Sequence, residues 1–181
     1  MNNIDREKFA SIFINEGHRD YRWIEPEQIV VAQWVRFKCM FGCSSYGKKG
    51  TCPPHVPPVG ECREFLNEYS HIAVFHFETR FADPKERYEW SRRENRKLLE
   101  LERKIFLEGY QKAFLLFMDE CRLCNECTGS RESCINKEGA RPSPESLGID
   151  VFSTVRNIGY SIEVLSDYSQ KMDRYAFLLI D

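Results

Sequence analysis

The chain has 181 residues and a formal net charge of −2 at pH 7, with 30% charged and 42% hydrophobic residues. This length suits one domain with its own core, and the near balance of charge argues against a nucleic-acid or anionic-membrane partner. The apolar runs are too short to cross a bilayer, and the first residues lack the pattern of a secretion signal, so we expect a cytoplasmic protein.

The first segment, residues 5–16, predicts a helix because its apolar residues recur on one face. We treat residues 1–27 as an N-terminal helical appendage of a single metal-binding domain that spans residues 1–181. The next segment, residues 28–38, is rich in Val, Ile, Trp and Phe and predicts a strand. That strand would end at Cys39, where a rigid element can hold a metal ligand in place.

Further along the chain, the pattern of apolar residues predicts an α+β fold. Asp83 begins a long helix that ends near Leu107, and residues 112–119 predict a strand that is covered on both faces. Ser143 caps a helix that ends at Gly159. The other predicted elements are a helix over residues 60–69 and strands over residues 71–78, 161–165 and 174–180, the last two forming a hairpin. We expect a mixed sheet of about five strands with packed helices and two cysteine-rich metal loops at strand ends.

The loop 121–141 carries the strongest chemical signal, Cys121-x2-Cys124-x2-Cys127 followed by Cys134. An iron–sulfur cube takes four cysteine thiolates, and a C-x2-C-x2-C run wraps three corners of it. Zinc sites more often use two separated C-x2-C pairs. Cys134 is the candidate fourth ligand, although it follows after six residues rather than three. In a reducing compartment these cysteines predict metal ligands rather than disulfides.

A second set of cysteines lies in the loop 39–62, at Cys39, Cys43 and Cys52. Three cysteines within fourteen residues, followed by a stiff run of prolines, indicate a second metal centre. Its fourth position is open, and Cys62 and His55 are both candidates for it. The remaining alternative is that no side chain fills it, which leaves one iron free to bind a small molecule.

Enzyme motifs of the common classes are missing. The sequence has no Walker loop, dinucleotide fingerprint, nucleophile elbow or metalloprotease helix, so we do not expect a conventional hydrolase or dehydrogenase. Whether the protein is an enzyme stays open. The polar groups of interest near an open iron are Lys48, His55 and Arg141, the last of which can clamp an anion or form a structural salt bridge. Arg92 and Arg96 alternate with acidic residues and predict a solvated helix face.

Two longer stretches extend these motifs. They are Trp34-Val-Arg36-Phe-Lys-Cys39 through Gly42-Cys43 to Cys52-Pro-Pro, and Cys121-Arg-Leu-Cys124 through Cys127 and Cys134 to Ala140-Arg-Pro-Ser143. The stretches resemble an uncharacterised family, described as predicted metal-binding proteins and found mainly in anaerobic archaea and bacteria. The resemblance covers most of the chain and implies metal binding, but no reaction. The family's first motif has three cysteines and none like Cys62, which implies an open site there.

Two functions are compatible with these patterns. The first is an iron–sulfur protein with one or two [4Fe–4S] clusters, which transfers electrons to a redox partner protein or reduces a small-molecule ligand at an open iron. The second is a zinc-binding structural or interaction module without redox activity. If the two cysteine loops follow neighbouring parallel strands, both centres lie at one end of the sheet, close enough to exchange electrons.

Overall fold

The centre of the fold is an antiparallel sheet in the computed structural model, which describes residues 5–167 and 169–181. Within those residues its four strands are β1 (Tyr21–Ile24), β2 (Ile72–Thr79), β3 (Phe114–Leu116) and β4 (Met172–Leu179). Their spatial order is β1-β2-β4-β3, and each pair of neighbours is antiparallel. Residues 1–4 of the predicted N-terminal appendage, and Tyr168, lie outside the described part.

Five α-helices accompany the sheet in the described ranges: α1 (Arg6–Asn15), α2 (Gln33–Gly42), α3 (Val59–Asn67), α4 (Pro84–Leu107) and α5 (Val151–Asn157). Short 3-10 helices lie at Pro26–Gln28 and Pro144–Leu147. Asp83 caps α4 by accepting a hydrogen bond from the Lys85 amide, as the sequence predicts. Among the described helices, none has the length and apolar content needed to cross a membrane.

Each face of the sheet packs against a different set of helices, because successive residues of a strand point to opposite faces. On one face, Val74 and Phe177 pack with Leu66 of α3 and Val155 of α5. On the other face, buried residues of the sheet pack with residues of α1 and α4, namely Phe75 and Leu178 with Phe9, Phe13, Leu98, Leu101 and Ile105. Burial of each phenylalanine contributes about 1.5–3 kcal/mol, so the N-terminal helix is held firmly to the sheet.

Several predicted elements are confirmed, and others are wrong. Three predicted helices match the structure: residues 5–16 correspond to α1, residues 60–69 to α3 and residues 83–107 to α4. Two predicted strands also match, residues 71–78 to β2 and residues 174–180 to β4. Of the strand predicted over residues 28–38, residues 33–38 belong instead to helix α2, and β1 is a strand that the sequence did not predict. In α2, Val35 is buried while Trp34, Phe37 and Phe41 are exposed, a one-sided burial that suits a surface helix. Cys39 therefore lies on a helix and not at the end of a strand.

The predicted terminal hairpin is also wrong. Residues 161–165 form no strand, and β4 pairs with β2 on one side and β3 on the other. With its central strands paired in this way, the sheet is antiparallel throughout and has four strands in the described residues, rather than being mixed with about five. The helix predicted between Ser143 and Gly159 is interrupted at Gly148, whose left-handed φ of +86° separates the 3-10 helix from α5.

Candidate metal centres

The loop that carries Cys121, Cys124, Cys127 and Cys134 is fixed firmly at its base. Asp119 is buried and accepts hydrogen bonds from Arg87 at 2.7 Å and from the Ser91 hydroxyl at 2.6 Å. The loop closes on itself where the Phe117 amide donates to the Pro142 carbonyl at 2.9 Å. The four cysteines are thus presented by a long loop whose two ends meet beside β3.

Helix α4 holds the tip of the same loop. The Arg96 guanidinium donates to the Leu123 carbonyl at 3.3 Å, and Arg92 donates to the Asn125 side chain at 2.8 Å. Leu123 is itself buried in the core below. The sequence predicts a solvated face for both arginines, and Arg96 is indeed exposed while Arg92 is half-buried. Their i, i+4 spacing places both on the side of α4 that contacts the loop. These contacts make α4 part of the support of the candidate site.

All four cysteines of this loop line one small cavity, which we call the second site. Its volume is about 20 Å³, and Gly50 and Thr51 of the other cysteine loop complete its wall. Burial tends to raise the pKa of the Cys127 thiol, but backbone N–H groups of Gly129 and Gly50, with the Lys49 charge, outweigh it and lower that pKa. Burial raises the pKa of Cys121, partly offset by N–H groups of Leu123 and Arg141. Amide N–H groups directed at cysteine sulfur are also a feature of iron–sulfur sites.

Cys39, Cys43 and Cys52 line a different and larger cavity, the first site. Cys39 projects from α2 and Cys43 follows the end of that helix, whereas Cys52 comes from the turns beyond it. Burial, together with the charges of Glu120, Cys43 and Cys39, raises the pKa of Cys52 to about 12, although a hydrogen bond with Ser146 partly opposes the rise. The three thiols therefore lie near enough to repel one another once ionised, and a bound cation would reverse that repulsion.

The cavity at the first site is an open groove of about 970 Å³. Its lining includes aromatic side chains of α2 and α5 and several carboxylates, among them Trp34, Phe37, Phe41, Phe152, Glu120 and Glu145. Burial raises the pKa of Glu145, whose backbone carbonyl lies 3.9 Å from the Cys39 sulfur. Pockets that take small organic molecules have about this volume and this mixture of apolar walls with a few polar groups.

Cys62 occupies a different environment from the other seven cysteines. It is 2% exposed in the core beside Leu66, and its thiol donates to the Pro57 carbonyl at 3.4 Å. The Arg36 guanidinium lies 3.9 Å from its sulfur. The residues described as lining the two cavities do not include Cys62.

We expect Cys62→Ala to retain the metal content of the wild-type protein, because its sulfur packs in the core. The variant should lose about 1–2 kcal/mol of unfolding free energy through the small cavity left behind. Metal analysis and urea denaturation measure the two quantities, with Cys39→Ala as the matched comparison that should lose metal. A loss of metal in Cys62→Ala equal to that in Cys39→Ala would make Cys62 a ligand.

The two cysteine loops are in direct contact, and the two sites share a wall. Thr51 lines the second site while its neighbour Cys52 lines the first. In the same way, Glu120 lines the first site while Cys121 lines the second. Because consecutive Cα atoms are about 3.8 Å apart, the two sites are separated by little more than one residue.

Gly50 packs directly against the backbone of the other cysteine loop. A Cβ atom on Gly50 would be 2.7 Å from the carbonyl carbon and oxygen of Ser130, and 3.0 Å from the Arg131 amide. We expect Gly50→Ala to cost about 1–3 kcal/mol of unfolding free energy, because two backbones must separate. Metal bound at the second site should fall as well, since the Gly50 amide bonds to Cys127.

The matched control for this prediction is Gly60→Ala. Gly60 lies in α3, where an added Cβ meets nothing within 4 Å. This control should be neutral or stabilise the protein by up to about 1 kcal/mol, because alanine favours the helix. Thermal or urea denaturation of both variants, with metal content measured alongside, distinguishes a steric effect from a general effect of replacing glycine. Equal stability of the two variants would contradict the close approach.

The three polar groups singled out from the sequence differ in their surroundings. Arg141 forms a bidentate salt bridge with the buried carboxylate of Glu102, at 2.8–3.1 Å. Of the two roles considered for Arg141, an anion clamp or a structural salt bridge, the structure shows the salt bridge. Lys48 and His55 are exposed. In the described ranges, 5–167 and 169–181, no three His, Cys, Asp or Glu side chains are arranged to hold a single metal ion.

The fold and the two sites define a class of protein: an α+β domain whose cysteine-rich loops meet at one edge of an antiparallel sheet. Residues 22–180 match the model of the family described as "Predicted metal-binding protein (DUF2284)", and the chain belongs to that family. The resemblance inferred from the cysteine motifs is confirmed. No curated protein and no solved structure matches the chain.

Proposed function

We propose that the protein is an iron–sulfur protein with two neighbouring centres. A [4Fe–4S] cluster would be held at the second site by Cys121, Cys124, Cys127 and Cys134. A further cluster would be held at the first site by Cys39, Cys43 and Cys52. Bound clusters supply one-electron redox chemistry. This proposal includes a reducing compartment such as the cytoplasm, because the thiols must stay free to bind metal.

The observation that carries the proposal is the shared wall between the two cavities. Thr51 and Cys52 are adjacent in the sequence, yet Thr51 lines the second site and Cys52 lines the first. Two cofactors held so close are favourably placed for electron exchange. The backbone N–H groups that bond to Cys121 and Cys127 support a cluster at the second site, because such bonds stabilise thiolate sulfur.

The groove supports a different role for the first site. Three cysteines line it, and the space in front of them is large enough for a small molecule. We infer that a ligand enters between the aromatic side chains of α2 and α5 and reaches the first centre there. Electrons would arrive from a redox partner protein through the second centre. The residues that line the groove would position the ligand, and reduction of that ligand is the proposed outcome.

One observation favours the zinc alternative. The cavity at the second site has a volume of about 20 Å³, close to the space of a single water molecule. A single ion needs less movement of the surrounding thiols than a cube does. A zinc site there would hold the two loops together and would do no redox chemistry.

Purification without oxygen, followed by counts of iron, acid-labile sulfide and zinc, tests the proposal. About eight iron and eight sulfide per chain, with an electron paramagnetic resonance signal after reduction, is the expected result for two cubes. Stoichiometric zinc without iron or sulfide would support the zinc alternative and would end the redox proposal.

A further inference from the structure

Thr51 is a buried threonine that precedes Cys52 in the first cysteine loop. It lines the second site together with Cys121, Cys124, Cys127 and Cys134. The residue is 8% exposed, and its hydroxyl oxygen has no hydrogen-bond partner within residues 5–167 and 169–181. The wall of the four-cysteine cavity therefore includes a residue whose buried hydroxyl lacks a partner in the described ranges.

A buried hydroxyl without a partner is costly, at about 1–3 kcal/mol. Hydroxyls in protein interiors are nearly always hydrogen-bonded, so an exception needs an explanation. Metal-bound thiolates and inorganic sulfides carry negative charge and accept hydrogen bonds, and a threonine hydroxyl can donate one. The chemistry of the surrounding side chains thus supplies the partner that the hydroxyl lacks.

The backbone on both sides of Thr51 is held in place. On one side, the Gly50 amide donates to the Cys127 sulfur. On the other, the Cys52 amide donates to the Lys49 carbonyl at 3.0 Å. The close approach of Gly50 to Ser130 fixes this segment against the second loop. Thr51 is therefore held in a fixed segment at the wall of the second site, as a tuning group must be.

We propose that the Thr51 hydroxyl donates a hydrogen bond to a sulfur of the centre held by Cys121, Cys124, Cys127 and Cys134, and so raises its reduction potential. This inference rests on the proposed function. A hydrogen bond to sulfur stabilises the reduced cluster more than the oxidised one, because the reduced cluster carries the extra negative charge. Thr51 is a tuning residue that belongs to one cysteine loop and acts on the other.

Thr51→Val tests the inference, because valine keeps the shape of threonine and removes the hydroxyl. In Thr51→Val we expect the ratio of oxidised to reduced second-site cluster, at a fixed applied potential, to rise about tenfold. For a one-electron couple this corresponds to a reduction potential that is lower by about 59 mV. A redox titration monitored by electron paramagnetic resonance measures this ratio. The signal of the second-site cluster is identified as the one that is absent in Cys124→Ala. Thr51→Ser keeps the hydroxyl and should stay within about twofold of wild type.

The control is Thr79→Val at the end of β2, which should leave the potential unchanged. Loaded clusters with an unchanged potential in Thr51→Val would overturn the inference and leave the proposed function standing. A shift in Thr51→Ser as large as that in Thr51→Val would also overturn it, because the packing of the side chain would then be the cause. Thr51→Ala, which also lacks the hydroxyl, replaces Thr51→Val if valine impairs folding.

A preparation that contains zinc and no iron would instead contradict the proposed function. The hydrogen bond is then measured by the rate at which zinc passes from the protein to a coloured chelator. Release about tenfold faster in Thr51→Val than in wild type and in Thr51→Ser would support the bond to sulfur. Equal rates in all three proteins would overturn it.

Discussion

Cys124→Ala is expected to remove the second-site cluster, and with it about four iron atoms per chain. Cys124 is the central cysteine of the triple motif and lines the cavity with the other three. Alanine offers no replacement ligand, so the remaining cysteines lose the chelate that the short spacing provides. Iron and sulfide analysis after anaerobic purification measures the loss, and the unfolding midpoint should fall because bound metal contributes to folding.

The control for Cys124→Ala is Glu126→Ala in the same loop. Glu126 is exposed, so its removal changes a charge without touching the cavity. This control should keep the wild-type iron content and spectrum. An unchanged iron count in Cys124→Ala would exclude Cys124 as a ligand and would require a different fourth cysteine.

Arg141→Ala is expected to lower the unfolding free energy by about 3–5 kcal/mol. The substitution leaves Glu102, which is 5% exposed, as a buried charge whose remaining partner is the Leu115 amide at 2.8 Å. Glu102 lies on α4 and Leu115 on β3, so this ion pair ties the helix, the sheet and the end of the cysteine loop together. Urea denaturation of wild type and variant measures the difference.

A second variant separates the loss of the ion pair from a role in ligand binding. Arg141→Met combined with Glu102→Gln removes both charges, and the glutamine carbonyl can still accept from Leu115. This double variant should recover most of the lost stability, because the unpaired buried charge is the main cost. An Arg141→Ala variant as stable as wild type would contradict the structural role of this ion pair.

The two cysteine sets illustrate what local sequence can predict. The spacing Cys121-x2-Cys124-x2-Cys127 brings three thiols into one loop for any fold that the chain adopts, and the structure places them with Cys134 around one cavity. Capping by Asp83 and by Ser143 was predictable for the same reason, since each cap involves residues two or three positions away. The family match over residues 22–180 agrees with these local motifs.

The errors occurred where distant residues decide the outcome. Residues 28–38 have the composition of a strand, yet the segment enters helix α2 after the Ala32 amide bonds to the Gly148 carbonyl at 2.8 Å. Residues 161–165 have a similar composition, but both neighbours of β4 are strands from elsewhere in the chain. Strand composition measures a preference for a half-buried surface, and tertiary pairing decides which segment obtains that surface.

By itself, the sequence determined an α+β chain with two cysteine sets suited to metal, because helix periodicity, capping and ligand spacing act over a few residues. The tertiary fold decided that the two sets share a wall, that Thr51 lines the cavity of the other loop's cysteines, and that Arg141 pairs with Glu102. These arrangements bring together residues that are far apart in the sequence, 39 positions in the case of Arg141 and Glu102. Local sequence patterns extend over only a few residues and therefore do not encode them.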